Sequence, residues 1–141
     1  MITELHKAKD LMDNKQYELA IKILKNLEGL PLKSEIFRLL FLSNSYYNIE
    51  EYYLAIATAN RLLQKDHKNE YASQIKYLSY YELKDYDHAL NEIISFLTHN
   101  EANLYKVTLE ELLHDIKEGS INEETTIYKL QELALKNKVN I

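Results

Sequence analysis

Tyr17, Tyr52 and Tyr86 stand 35 and 34 residues apart, and each opens the same short pattern. Three residues on comes alanine each time: Ala20, Ala55 and Ala89. A branched aliphatic follows, Ile21, Ile56 and Leu90, and ten residues after the tyrosine stands Leu27, Leu62 or Phe96. Six residues before the second and third tyrosines are Tyr46 and Tyr80, each followed by another tyrosine. A chain built on a period near 34 residues is restricted to architectures in which one small unit stacks on copies of itself.

The unit is helical. Positions i, i+3, i+4, i+7 and i+10 form a single apolar stripe on an α-helix. A recurrent alanine within that stripe marks where two helices come so close that a larger side chain would separate them. A tyrosine in the first turn can fill the angle between the helices and keep its hydroxyl in water. Composition agrees, because the chain of 141 residues has one proline and two glycines. Sheet-rich folds need many tight turns made with such residues, whereas helices joined by short connections need few.

The stretches Ser43–Ile56 (SNSYYNIEEYYLAI) and Tyr77–Leu90 (YLSYYELKDYDHAL) resemble the tetratricopeptide repeat, and Lys7–Ile21 (KAKDLMDNKQYELAI) is a weaker third copy. The resemblance covers about residues 1–100. It implies an all-α fold, an α-α superhelix of stacked antiparallel helix hairpins, with a degenerate fourth pair over 101–141 that caps the stack. About eight helices are expected in a single domain: first helices near 2–13, 35–48 and 69–83, second helices near 17–28, 51–65 and 86–98. The tail adds a helix near 102–117 ending at Gly119, then a last helix to about 138. Ser120-Ile121-Asn122-Glu123 has the form of a capping box for that last helix, in which Ile127, Leu130 and Ala134 share a face. The repeats are 1–34, 35–69 and 70–100. Two departures from the family pattern stand out. The small residue of its eighth position is Ala8 and Ser43, but Tyr77 in the third copy, which implies a changed packing angle or a shift onto Ile75 and Leu78. The usual turn glycine is replaced by Lys15, Glu50 and Lys84, with Asn14 and Asn48 near enough to take the left-handed conformation instead.

Chemistry-bearing constellations are sparse. The chain has no cysteine, hence no disulfide, thiolate nucleophile or cysteine-based zinc site. Among five histidines none forms an HExxH pattern, and Glu111-Leu112-Leu113-His114 has the spacing of a carboxylate-bridged metal site without the required second copy. A solvated helix face is its expected role. Asp85-Tyr86-Asp87-His88 falls where a helix begins, and acids there satisfy free amides and the helix dipole. Neither glycine has a glycine neighbour, so no phosphate-binding loop is present. No catalytic residue, metal or cofactor is expected.

The formal net charge of −5 is uneven, with residues 70–100 and 101–141 carrying −3 each. Nucleic acid binding needs clustered bases, and the chain has two arginines and an acidic C-terminal half. The same field would steer in a basic protein partner. The most apolar stretch, Ile36–Leu42, is short and broken by Arg38, too little to cross a bilayer. The N-terminal residues carry an early acid and no apolar core, so a cytoplasmic location is expected. The Lys-, Asn-, Ile- and Tyr-rich usage is that of low-GC bacterial or phage coding.

The resemblance further implies that partner contacts come from one face of the first helices, which line the concave side. That face is Phe37, Leu40, Asn44, Tyr47 and Asn48 in the second copy and Tyr71, Gln74, Leu78, Tyr81 and Glu82 in the third, with Leu5, Lys9, Met12 and Asp13 added by the first. Spacings of three and four independently put each set on one side of a helix. Rings give apolar contact and amides bond a peptide backbone. The subtype that grips a terminal carboxylate is disfavoured, because Leu40 stands where its lysine should be. The expected activity is therefore protein–protein interaction through a peptide-holding groove. Alternatives are a dedicated immunity protein, antitoxin or secretion chaperone that neutralises one cognate protein, and a self-associating (homo-oligomeric) assembly component.

Overall fold

A computed structural model describes residues 1–141, and every regular element in it is an α-helix. The eight helices are α1 (Thr3–Asp13), α2 (Tyr17–Lys25), α3 (Leu32–Asn48), α4 (Tyr52–Lys65), α5 (Glu70–Glu82), α6 (Tyr86–His99), α7 (Tyr105–Lys117) and α8 (Glu124–Lys136). From α1 to α6 each helix packs on the next, and α1, α3 and α5 also lie side by side. The result is a stack of helical hairpins. No helix is long and apolar enough to cross a membrane.

The repeated alanines sit where the spacing put them. Ala20 and Ala55 have no exposed surface and Ala89 has 1%. A methyl group there lets α2, α4 and α6 lie close against their neighbours, and interaxial distance is set by the side chains at the contact. The apolar core has two parts. Residues of α1 to α5 form one around Leu5, Leu24, Leu39 and Leu62, and residues of α5 to α8 form the other around Tyr105, Ile93, Leu97 and Leu130. Leu63 touches both, and α5 gives Ala72 and Ile75 to the first and Tyr77 to the second. Leu130 and Ala134 are buried and Ile127 half-buried, so the expected inner face of α8 is present.

The turns differ from expectation. Lys15, Glu50 and Lys84 themselves take the left-handed conformation, at φ 61°, 65° and 59°, while Asn14 stays at φ −93° and Asn48 is helical. In all three places two backbone bonds close the helix end in the same way: Gln16 N to Leu11 O and Lys15 N to Met12 O, then Glu51 to Tyr46 and Glu50 to Tyr47, then Asp85 to Tyr80 and Lys84 to Tyr81. These are the six-to-one and five-to-two bonds of a Schellman motif, whose C′ residue must have positive φ. Gly119 ends α7 with the same pair of bonds at φ 84°.

Other boundaries shift for local reasons. α2 stops at Lys25, so Leu27 packs on the core from outside the helix. α3 begins three residues earlier than expected, directly after Pro31, which stands at the N-cap (φ −55°, ψ 155°) and whose carbonyl accepts the first helical bond, from Glu35 N at 2.9 Å. α7 begins at Tyr105 rather than 102. The last helix is capped by Glu123 and not by Ser120: its carboxylate accepts from Thr125 N (3.1 Å), Thr126 N (2.7 Å) and Thr126 Oγ1.

Candidate partner-binding site

Between α1, α3 and α5 lies a hollow of about 430 Å3. Seven of the ten residues expected to meet a partner line it: Leu40, Asn44, Tyr47 and Asn48 from α3, and Tyr71, Gln74 and Leu78 from α5. Met12 of α1 completes the wall, together with Phe41 and Ile75. The last two were missed, although each lies four residues beyond a residue already placed on that face and so falls on the same side of its helix.

The other expected positions go elsewhere. Leu5 has no exposed surface and belongs to the first core. A helix of 11 residues at the end of a stack turns its strongest apolar side chain inward. Lys9 and Asp13 pair with each other across one helical turn at 3.1 Å on an exposed surface. Phe37 is half-buried against the core and tilts on Phe41 with ring centres 5.9 Å apart. Tyr81 turns to the other side of α5, into a larger cavity between the third and fourth hairpins. Glu82 is exposed just beyond the hollow.

Side-chain chemistry in the hollow is partly committed. Asn48 Nδ2 donates to Asn44 O at 2.8 Å and to Asn44 Oδ1 at 3.1 Å. The amide group of Asn44 and the carbonyl of Asn48 thus remain free to meet a backbone C=O and N–H from outside. Tyr47 stacks edge-on against Tyr52, with ring centres 5.6 Å apart. The same pairing returns one repeat later in Tyr81 and Tyr86, at 5.2 Å. Burial, then the negative charge of Glu82, pushes the Tyr47 hydroxyl above its ordinary range, so it stays a neutral donor. Tyr71 stands 57% exposed at the rim, able to close over a chain laid beside it.

No group of three or more His, Asp or Glu side chains has metal-binding proximity. Glu111 and His114 are exposed on α7. Asp85 caps α6 by accepting from His88 N at 3.3 Å, and its carboxylate meets His88 Nδ1 at 2.7 Å, which lowers its pKa. What the hollow offers is an apolar floor with amide donors and acceptors at its edge.

No protein-family model matches the chain, and no curated protein and no solved structure matches it. Its place is given by its architecture alone, an all-α stack of eight helices of the helical-repeat kind.

Proposed function

We propose that the chain is a tetratricopeptide-like binding module that holds a segment of a polypeptide partner in the hollow between α1, α3 and α5. The reading is carried by one observation: half-buried Leu40, Tyr47 and Leu78, exposed Tyr71, and the amides of Asn44, Asn48 and Gln74 converge on one concavity. Apolar floor and polar rim together are the anatomy of a polypeptide-binding surface. The test is the double variant Tyr71→Ala with Gln74→Ala, which removes an exposed ring and a rim amide. It should keep the helical circular dichroism of the parent and lose a partner that the parent retains. Undiminished retention would refute the reading.

A second reading, neutralisation of one cognate protein in the manner of an immunity protein, antitoxin or secretion chaperone, draws on the acid surplus after residue 70. Co-expression with the neighbouring open reading frame decides it. A neighbour neither toxic nor secreted rules it out.

A further inference from the structure

The third and fourth hairpins do not close on each other as the first three do. Where α1 and α3 carry Ala8 and Ser43, α5 carries Tyr77, and its ring is buried with 6% exposure. It fills the space a close neighbour would occupy: α6 approaches α8 backbone to backbone but hardly approaches α7. The gap is a cavity of about 690 Å3, bounded by the ends of α5 and α7, the start of α6 and the turn leading into α8.

Its walls combine two chemistries. Tyr77 and Tyr81 stack with ring centres 6.2 Å apart and planes 25° apart, and Tyr86 meets Tyr81 edge-on at 5.2 Å. Tyr81 and Tyr86 leave about half their surface open, 49% and 48%. Beside the rings stand Asp87, Asp115 and Glu123, with no Lys, Arg or His anywhere in the lining. Glu123 is engaged by the amides at the start of α8. Asp115 is half-buried and belongs to none of the four ion pairs of the molecule, and neither does Asp87. An incoming cation would meet both carboxylates without displacing a base already paired to them.

We propose that this cavity receives an arginine side chain of the polypeptide partner, its guanidinium laid on Tyr81 and Tyr86 and its N–H donors turned to Asp115 and Asp87. A guanidinium is planar and weakly hydrated, stacks on aromatic faces and presents a fork of donors that matches carboxylates, where an ammonium is a compact, strongly hydrated point charge. The volume admits the aliphatic stem and the backbone around it. Leu78 faces the hollow on one side of α5 while Tyr77 and Tyr81 face the cavity on the other, so a segment crossing this one helix can occupy both. The arginine's source rests on the polypeptide-binding reading, whereas the chemistry of the cavity does not.

The experiment titrates acetyl-argininamide, and separately its neutral isostere acetyl-citrullinamide, into the full chain while the tyrosine ring resonances are followed by NMR. The arginine compound should shift the rings of Tyr81 and Tyr86 and saturate, with the citrulline compound weaker by about tenfold. Asp115→Asn should weaken the arginine compound by about tenfold and leave citrulline unchanged. Asp87→Asn, on an exposed first turn, should weaken it in the same direction and serves if the first variant loses its fold. Equal response to both compounds, no ring shift, or indifference to both variants overturns the proposal. In Tyr71→Ala with Gln74→Ala the arginine response should persist. A partner still held by that variant, with arginine titrating normally, would sink only the hollow; a partner lost with no arginine response in the parent would sink only the cavity.

Discussion

The hydroxyl of Tyr105 lies 2.7 Å from Oγ of Ser73, joining α7 to α5 inside the core with no part of Tyr105 exposed. Ser73 has one proton and gives it to Glu92 Oε2, also at 2.7 Å, so Tyr105 is the donor to Ser73. Glu92 Oε1 in turn meets Lys76 Nζ at 2.6 Å. A second tie runs alongside, since Glu70 Oε2 accepts from Asn103 N at 2.8 Å and Tyr105 N at 3.0 Å. A third runs from Lys136 Nζ of α8 to Leu97 O of α6 at 3.4 Å, while Asn137 Oδ1 accepts from Ala102 N at 2.9 Å and closes the fourth hairpin on itself. Directional polar bonds therefore hold the fourth hairpin where close backbone packing does not.

Tyr105→Phe keeps the ring against Tyr77 and Phe96 and removes only the donor. It should cost about 1–2 kcal/mol in urea unfolding, because Ser73 is left with an unmet lone pair in a dry place. Tyr105→Ala also empties the ring's site and should cost about 3–5 kcal/mol. Parent-like stability in Tyr105→Phe would show that the relay contributes nothing.

Glu35 and Arg38 predict a pH dependence. Arg38 Nε and Nη2 grip the two oxygens of Glu35 at 2.6 and 2.9 Å, and Nη1 reaches Leu24 O at 3.1 Å, tying α3 to α2. The hydrogen-bonded guanidinium holds the Glu35 carboxyl below its ordinary value of 4.5, with burial opposing it. The unfolded chain therefore binds the proton more readily, and stability rises with pH through this window. The contribution is fully present above pH 4.5 and is lost as pH falls through the lowered folded value. Glu35→Gln should be less stable than the parent by about 1 kcal/mol near neutrality, and the difference should vanish in strong acid. A difference that stays constant with pH would contradict the assignment.

The left-handed turns predict stabilising substitutions. A side chain at positive φ costs roughly 1–2 kcal/mol, and glycine removes that cost while losing some of it to greater freedom in the unfolded chain. Lys15→Gly, Glu50→Gly and Lys84→Gly should each raise stability by about 0.5–1 kcal/mol in urea melts. Gly119→Ala should lower it by a similar amount through conformation alone, since a Cβ there would meet nothing within 4 Å. Loss of stability in all three glycine variants would mean that those side chains make favourable contacts.

Much of the stack was legible because its signals are local and repeat. Ala20, Ala55 and Ala89 reveal close helix contacts by size alone, and Tyr47 with Tyr52 repeats as Tyr81 with Tyr86. The turns were harder to read. Lys15, Glu50 and Lys84 have helix-forming side chains, and nothing in their chemistry reveals a positive φ that three equivalent backbone closures impose. Glu123 was misread for a related reason: its carboxylate caps its own helix, and the serine before it only resembled the cap. The cavity was hidden because it depends on how far a hairpin without repeat spacing stands from its neighbour. That distance is set by Tyr77 and by bonds such as Glu70 to Tyr105, which span 35 residues of sequence and leave no periodic trace.

The binding account turns on whether a polypeptide occupies the hollow. A photo-crosslinking side chain placed at Tyr71 on its rim, and in a separate variant at Tyr53 on the 76% exposed outer surface of α4, tests this in the native host. The account predicts one discrete polypeptide adduct from position 71 and none from 53. No adduct from 71, or the same adduct from both positions, would contradict it.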